Sequence, residues 1–215
     1  KCCLAREANW MTKKAKQARR PTQVRGTERF GHILDMAAGI IAEKGLDHLT
    51  MQNIAVTAKT TIGSLYHFFP SKEAVIHALI EQHEQNLQDI LVNLEERFNI
   101  DNIQNKDVSV FIGMLFSPYS DYLLSRRDYL PLLQFQGFKF MESKLLEFIK
   151  KTLRKRYPNL DEKQLIIEAD FIHAIATGIL QQATQRDDKM AFHFVPKILI
   201  VLTAYLKTIE VNYNC

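Results

Sequence analysis

The sequence predicts an all-α protein in two parts, a small N-terminal three-helix domain followed by a larger helical domain. Three observations carry this. Apolar residues recur three and four positions apart in nearly every patterned segment, and no stretch alternates with the period of two that a half-buried strand needs. Glycine and proline are scarce, 8 and 6 in 215 residues, and 47% apolar with 24% charged content is ordinary for a globular chain, which confines expected disorder to the ends. Finally, residues 50–74, TMQNIAVTAKTTIGSLYHFFPSKEA, read as two short helices joined by a tight turn and followed by the start of a third. That is a helix-turn-helix, an arrangement suited to reading DNA.

The two halves of that motif have local reasons to fold. Thr50 can cap a helix whose Ile54, Ala55 and Ala58 share a face. Thr61 can cap the second, in which Ile62, Leu65 and Phe69 are expected to point inward while Ser64, Tyr66 and His67 face out. Pro70 disfavours helical geometry at Phe69, and Ser71 can cap the next helix.

This order of residues resembles the DNA-binding domain of the tetracycline-repressor (TetR/AcrR) family, with its turn, Ser or Thr cap, Gly-Ser-Leu-Tyr, aromatic pair and Ser-Lys-Glu. Upstream, Arg29, Ile33, Leu34, Ala37, Ala38, Glu43 and Gly45 stand where that family carries its first helix and closing glycine. The resemblance covers residues 25–79 and is architectural beyond them. Two departures stand out. Lys59 occupies the turn position where the family usually has Gly, and a left-handed backbone there would cost Lys about 1 kcal/mol or more. Phe68 replaces a more usual His or Tyr, removing one polar contact to DNA.

After the motif, a long helix is expected from Ser71 to about Phe98, burying Val75, Leu79, Ile90, Leu91 and Leu94. At ~1.5 Å per residue it spans on the order of 40 Å, long enough to leave one domain and enter the next. Residues 99–107 read as a loop and residues 108–126 as an apolar helix, where Pro118 would free the carbonyl of Met114 and bend the helix. A short and a longer helix follow over residues 128–157, closed by Pro158. Asp161 with Gln164 marks the start of a helix carrying Leu165, Ala169, Ile172, Ala176, Ile179, Leu180 and Ala183. Past the RDDK turn, Phe194, Ile198, Leu202, Tyr205, Leu206 and Ile209 line the last one, broadened by Leu199 and Val201. Helices apolar around so much of their circumference need cover on more than one side.

The predicted domains are a basic, disordered arm at 1–24, where the charges follow no apolar periodicity, the helix-turn-helix domain at 25–70 and the larger helical ligand-binding and dimerisation domain at 71–215. Charge divides along the same line. Residues 1–72 carry 12 Lys and Arg against 5 Asp and Glu, net +7, while the remainder carries 16 against 19, net −3. The attractive field for phosphates therefore lies on the segment with the motif. Cys2, Cys3 and Cys215 sit at the ends of the chain without metal-ligand spacing, so neither a metal site nor a disulfide framework is expected. The ten residues before Met11 are set aside from the fold reading. No run reaches membrane-span length and no secretory signal pattern is seen, which makes a cytoplasmic location without membrane association the expectation.

No GxSxG, no phosphate loop ending in GK and no HExxH occurs, so neither catalytic residues nor cofactors are expected. The reading is a DNA-binding transcriptional regulator, a repressor that binds a palindromic double-stranded operator as a homodimer and is released by a small, largely apolar effector. Two alternatives stand beside it, a helical enzyme or scaffold with a vestigial motif and a DNA-binding regulator with no effector. The resemblance implies phosphate contacts for Tyr66 and Lys72, beside which the bared N–H groups at the start of the Ser71 helix favour an anion. Ser64 and His67 are candidates for bases or nearby phosphates, Thr60 and Thr61 stand at the groove entrance, Gly63 allows close approach, and Thr50 and Lys59 are further candidates. For the effector, Phe111, Phe116, Tyr119, Tyr122, Gln134, Phe135, Phe138 and His173 are candidates, on the logic of apolar walls with a few convergent polar groups. The family's use of its last two helices for dimerisation implies Ile172, Ala176, Ile179, Leu180, Leu199, Leu202 and Leu206 for the interface, with small residues such as Gly178 allowing close approach.

Overall fold

The computed structural model describes residues 17–100, 102–132, 139–186 and 188–213, and the helices there are α1 (Val24–Lys44), α2 (Met51–Thr57), α3 (Ile62–Phe68), α4 (Lys72–Ile100), α5 (Val108–Ser125), α6 (Tyr129–Leu132), α7 (Lys139–Arg156), α8 (Glu162–Arg186) and α9 (Asp188–Tyr213). No strand occurs among the described residues. The chain divides into two compact units, residues 1–81 and 82–215, with α4 running through the division.

In the first unit, α1 buries Phe30, Ile33, Leu34, Ala37, Ala38, Ile40 and Ile41, the stripe its three- and four-residue spacing dictates. It closes at Gly45, whose φ of 82° lies in the left-handed region and whose N–H reaches the Ile41 carbonyl at 2.9 Å. Thr50 caps α2 by accepting from the Asn53 N–H at 3.1 Å, and Thr61 caps α3 by accepting from the Ser64 N–H at 3.2 Å. Phe69 stacks on Phe30 with ring centres 4.6 Å apart, and Phe68 meets the same ring edge-on at 6.1 Å. Phe68 is therefore a core residue that pins α3 to α1. Ser71 caps α4 through the Ala74 N–H at 3.3 Å, and Glu73 is held below the usual carboxylate range by its own backbone N–H and by the Ser71 hydroxyl.

Two expectations for this unit are corrected. Ile62 does not face inward; it is 43% exposed, because the Thr61 cap fixes the start of α3 with Leu65 toward the core and Ile62 to the side. Nor is the arm free through residue 24. The Arg19 N–H donates to the Phe68 carbonyl at 2.8 Å and Arg20 pairs with Glu81 at 2.7 Å, while Pro21 packs so closely on Gly26 that an added Cβ would lie 2.7 Å from the proline's own. Residues 1–16 of the expected arm lie outside the described residues.

The second unit is built on α8, which packs against α7 and α9, and on α9, which also packs against α5 and α6. Its share of α4 buries His83, Leu87, Leu91, Leu94 and Phe98 at four- and three-residue spacing. Asp107 caps α5 by accepting from the Ser109 N–H at 2.7 Å, and Pro118 lies inside that helix. Asp161 and Gln164 cap α8 reciprocally, at 2.7 and 3.0 Å. The Arg156 guanidinium lies over the Phe111 ring at 4.6 Å and donates to the Lys106 carbonyl and to Glu210, tying the end of α7 to the loop before α5 and to α9. Burial pushes the neighbouring Tyr157 hydroxyl up to about 12.

Candidate DNA-binding surface and effector region

The helix-turn-helix presents one continuous exposed edge, made by the turn and the outer side of α3. Lys59, Thr61, Ile62, Gly63, Tyr66 and His67 are exposed there, while Thr50, Thr60 and Ser64 are half-buried. The Thr50 and Thr61 hydroxyls already accept capping hydrogen bonds, leaving each with a proton to donate outward. Lys59 has φ of 50°, the left-handed geometry that its place in the turn threatened to impose. Nothing lies within 4 Å of a Cβ placed on Gly63, so packing inside the chain does not require glycine there. Lys72 is not an open cation in this structure; its Nζ donates to the Leu46 carbonyl at 3.1 Å and would have to leave it to reach a phosphate. Helical spacing alone does not mark Ile62 as a surface residue, since it cannot tell a core position from the flank of a seven-residue helix.

In the second unit the effector candidates separate. Phe111 packs edge-on against Phe98, with ring centres 6.0 Å apart, and under Arg156, as core. Phe116 is buried, and His173 is half-buried with its carbonyl accepting from the Thr177 hydroxyl. Gln134, Phe135 and Phe138 lie outside the described residues. Tyr119 and Tyr122 do come together, one turn apart on α5. Tyr119 shares a hydrogen bond with the Tyr129 hydroxyl at 3.2 Å, and the Tyr122 ring lies 6.0 Å from Tyr129. Phe111 and Tyr122 stand eleven residues apart on α5, roughly 16 Å along its axis, so the described candidates are spread along the helix rather than gathered at one point.

Around Tyr122 is a buried polar chain that the sequence did not reveal. Asn86 Nδ2 donates to the Tyr122 hydroxyl at 3.2 Å, which leaves the tyrosine proton for His83 Nδ1 at 2.6 Å and the His83 Nε2–H for Asp128 at 2.9 Å. Arg126 then donates to both Asp128 oxygens, at 3.1 and 3.0 Å. Burial opposes the charge on Asp128, but the hydrogen bonds from His83 and Arg126, with the positive charge of Arg126, outweigh it and hold the carboxyl well below the usual range. Burial pushes the Tyr122 hydroxyl up. A separate cleft of about 310 Å³ runs between α4 and α7, with Leu91, Val92 and Phe148 as its apolar wall and Gln88, Glu95, Lys144 and Lys151 at its margin; none of the eight candidates lines it.

The interface candidates separate too. Ile172, Ala176, Leu202 and Leu206 are buried within the single chain, where α8 and α9 pack on their neighbours. Ile179 and Leu199 are half-buried, and the side chain of Leu180 lies outside those described. The apolar side chains left exposed on these helices are others, among them Ile167 at 54%, Phe171 at 47%, Ile200 at 69% and Val201 at 44%. Among the described residues no helix is long and apolar enough to cross a membrane, and no group of three His, Cys, Asp or Glu could hold a metal ion.

Residues 33–79 match the model for bacterial regulatory proteins of the tetR family. Over 52 residues the chain is 44% identical to the HTH-type transcriptional repressor KstR2 of Mycobacterium tuberculosis, a stretch that makes up 24% of this chain and 26% of that repressor. The similarity to this curated relative thus spans only about a quarter of its length. Across most of the chain the fold is similar to that of the transcriptional regulator FadR from Bacillus subtilis in complex with stearoyl-CoA, with a TM-score of 0.54 and 16% identity over 81% of this chain and 97% of that one. It is also similar to the multidrug binding protein EbrR complexed with malachite green, with a TM-score of 0.51 and 18% identity over 80% and 98%. The helix-turn-helix domain over residues 33–79 is thus a DNA-binding domain of the tetR family of bacterial regulatory proteins.

Proposed function

We propose that this protein is a ligand-responsive DNA-binding regulator, acting as a repressor, which binds a palindromic operator as a homodimer and is released by a small, largely apolar effector. The observation that carries the reading is the exposed edge of the turn and α3, set on the part of the chain with net charge +7. Tyr66 and the half-buried hydroxyls would fix register on phosphates, and His67 would face the bases. The effector part draws on the ligands of the two similar structures, stearoyl-CoA with its long acyl chain in one and the aromatic dye malachite green in the other. In this chain the aromatic interior of the second unit, with the polar chain from Asn86 to Asp128, is the region chemically suited to such a molecule. The homodimer is proposed through the exposed residues of α8 and α9, since a twofold partner matches a twofold operator. Neither catalysis nor a cofactor is part of this reading.

The test is enrichment of a random-sequence duplex library on the purified chain, followed by affinity measurements across a salt series. An enriched site with inverted symmetry is expected. Tyr66→Phe should weaken all duplexes alike, and His67→Ala should alter base preference. Lys72→Ala should reduce the slope of log affinity against log salt by about 0.9 for each phosphate no longer neutralised. A chain that enriches no sequence contradicts the proposal.

A further inference from the structure

We infer that Ile62 reads thymine, through the 5-methyl group in the major groove, and so sets part of the operator sequence; this rests on the DNA-binding reading above. Ile62 is the first residue of α3 and is 43% exposed, whereas Leu65 is fully buried. It lies one turn before Tyr66, itself 48% exposed, on the stripe adjoining Gly63 and His67. A branched apolar side chain held in that position adds little to the core. Beside it, the open space at Gly63 leaves room for the duplex to come close.

The chemistry of the base edges then selects the occupant. In the major groove, adenine and cytosine present amino donors and guanine presents two acceptors, while thymine alone offers a methyl group beside its single acceptor. Isoleucine can neither donate nor accept, so against an amino or carbonyl group it would strip water without replacing the hydrogen bond. Against thymine the same approach buries one methyl on another. Net positive charge on residues 1–72 favours nucleic acid over an apolar protein partner for this exposed edge.

The experiment uses the duplex enriched by the full chain, with each thymine replaced in turn by deoxyuridine, which lacks the methyl. For the wild type, one or two replacements per half-site should weaken binding about fourfold, the worth of one buried methyl group. Ile62→Ala should bind thymine and deoxyuridine duplexes alike at those positions, and Ile62→Val should retain part of the discrimination. Thermal unfolding of both variants should match the wild type. The inference is overturned if no thymine is sensitive, if Ile62→Ala keeps the same sensitivity, or if Ile62→Ala changes the oligomeric state without DNA, which would make Ile62 a protein contact. Absence of any enriched sequence removes the DNA-binding reading first, and this inference with it.

Discussion

Lys59 holds a backbone geometry, φ 50°, that glycine would adopt without strain, and it does so on an exposed turn where its side chain adds nothing to the core. A residue that weakens its own fold at the edge proposed to face DNA is explained there by what its charge would do for binding. Lys59→Gly is therefore expected to stabilise the chain by about 1 kcal/mol in denaturant unfolding. The same variant should bind the enriched duplex more weakly, with a salt slope shallower by about 0.9 per subunit. If the glycine variant were stabilised and bound DNA undiminished, Lys59 would be strain without function. At this scale the sequence is most legible where chemistry is local. The Thr50, Thr61, Ser71 and Asp161 caps all form as read, because a cap needs a partner three residues away. The direction of Ile62 is not legible in this way, because it depends on how α3 sits on α1, which Phe30, Phe68 and Phe69 decide from thirty and more residues apart.

Helices α4 and α5 illustrate what periodicity misses. Their apolar stripes are readable, and Leu87, Leu91, Leu94 and Phe98 lie where such a stripe would put them. The chain from Asn86 through Tyr122 and His83 to Asp128 is not, since it joins residues up to 45 apart in sequence and no local pattern marks them. This chain fixes α4 to the end of α5 and to the start of α6. Acid should weaken it. Because Asp128 is held below its ordinary value in the fold, the unfolded chain binds more protons once pH falls into the carboxylate range near ~4. Its contribution is complete above that range and is lost as pH falls toward the folded value. Asp128→Asn, which leaves His83 and Arg126 without their carboxylate, should cost about 3 kcal/mol at pH 7 and flatten the acid limb of the stability curve. Urea unfolding from pH 3 to 7 measures both, and an unchanged acid limb in the variant would assign the acid sensitivity to other carboxylates.

For the molecule as a whole, the distinction that matters on α8 and α9 is between residues that hold the chain together and residues left for a partner. Both kinds are apolar, and their sequence pattern is the same. Ile172 and Leu202 are completely buried in the single chain, so a charge at either position should unfold the domain and says nothing about assembly. Phe171 lies beside Ile172 in sequence yet is 47% exposed, and Ile200 is 69% exposed two residues before Leu202. In a lone chain these side chains, like those of Ile167 and Val201, would remain in water, and exposed apolar groups gathered on two helices are candidates for a protein contact. Phe171→Glu and Ile200→Glu are accordingly expected to give folded monomers, with helical circular dichroism and cooperative melting intact. Operator affinity should then fall on the order of a hundredfold, because the two half-sites no longer share one tethered protein. Sedimentation velocity of wild type and both variants at micromolar concentration, with titration of the enriched duplex alongside, separates the outcomes. Dimers that survive both charges would move the interface away from this face, and a wild-type monomer with full operator affinity would remove the homodimer from the proposed function.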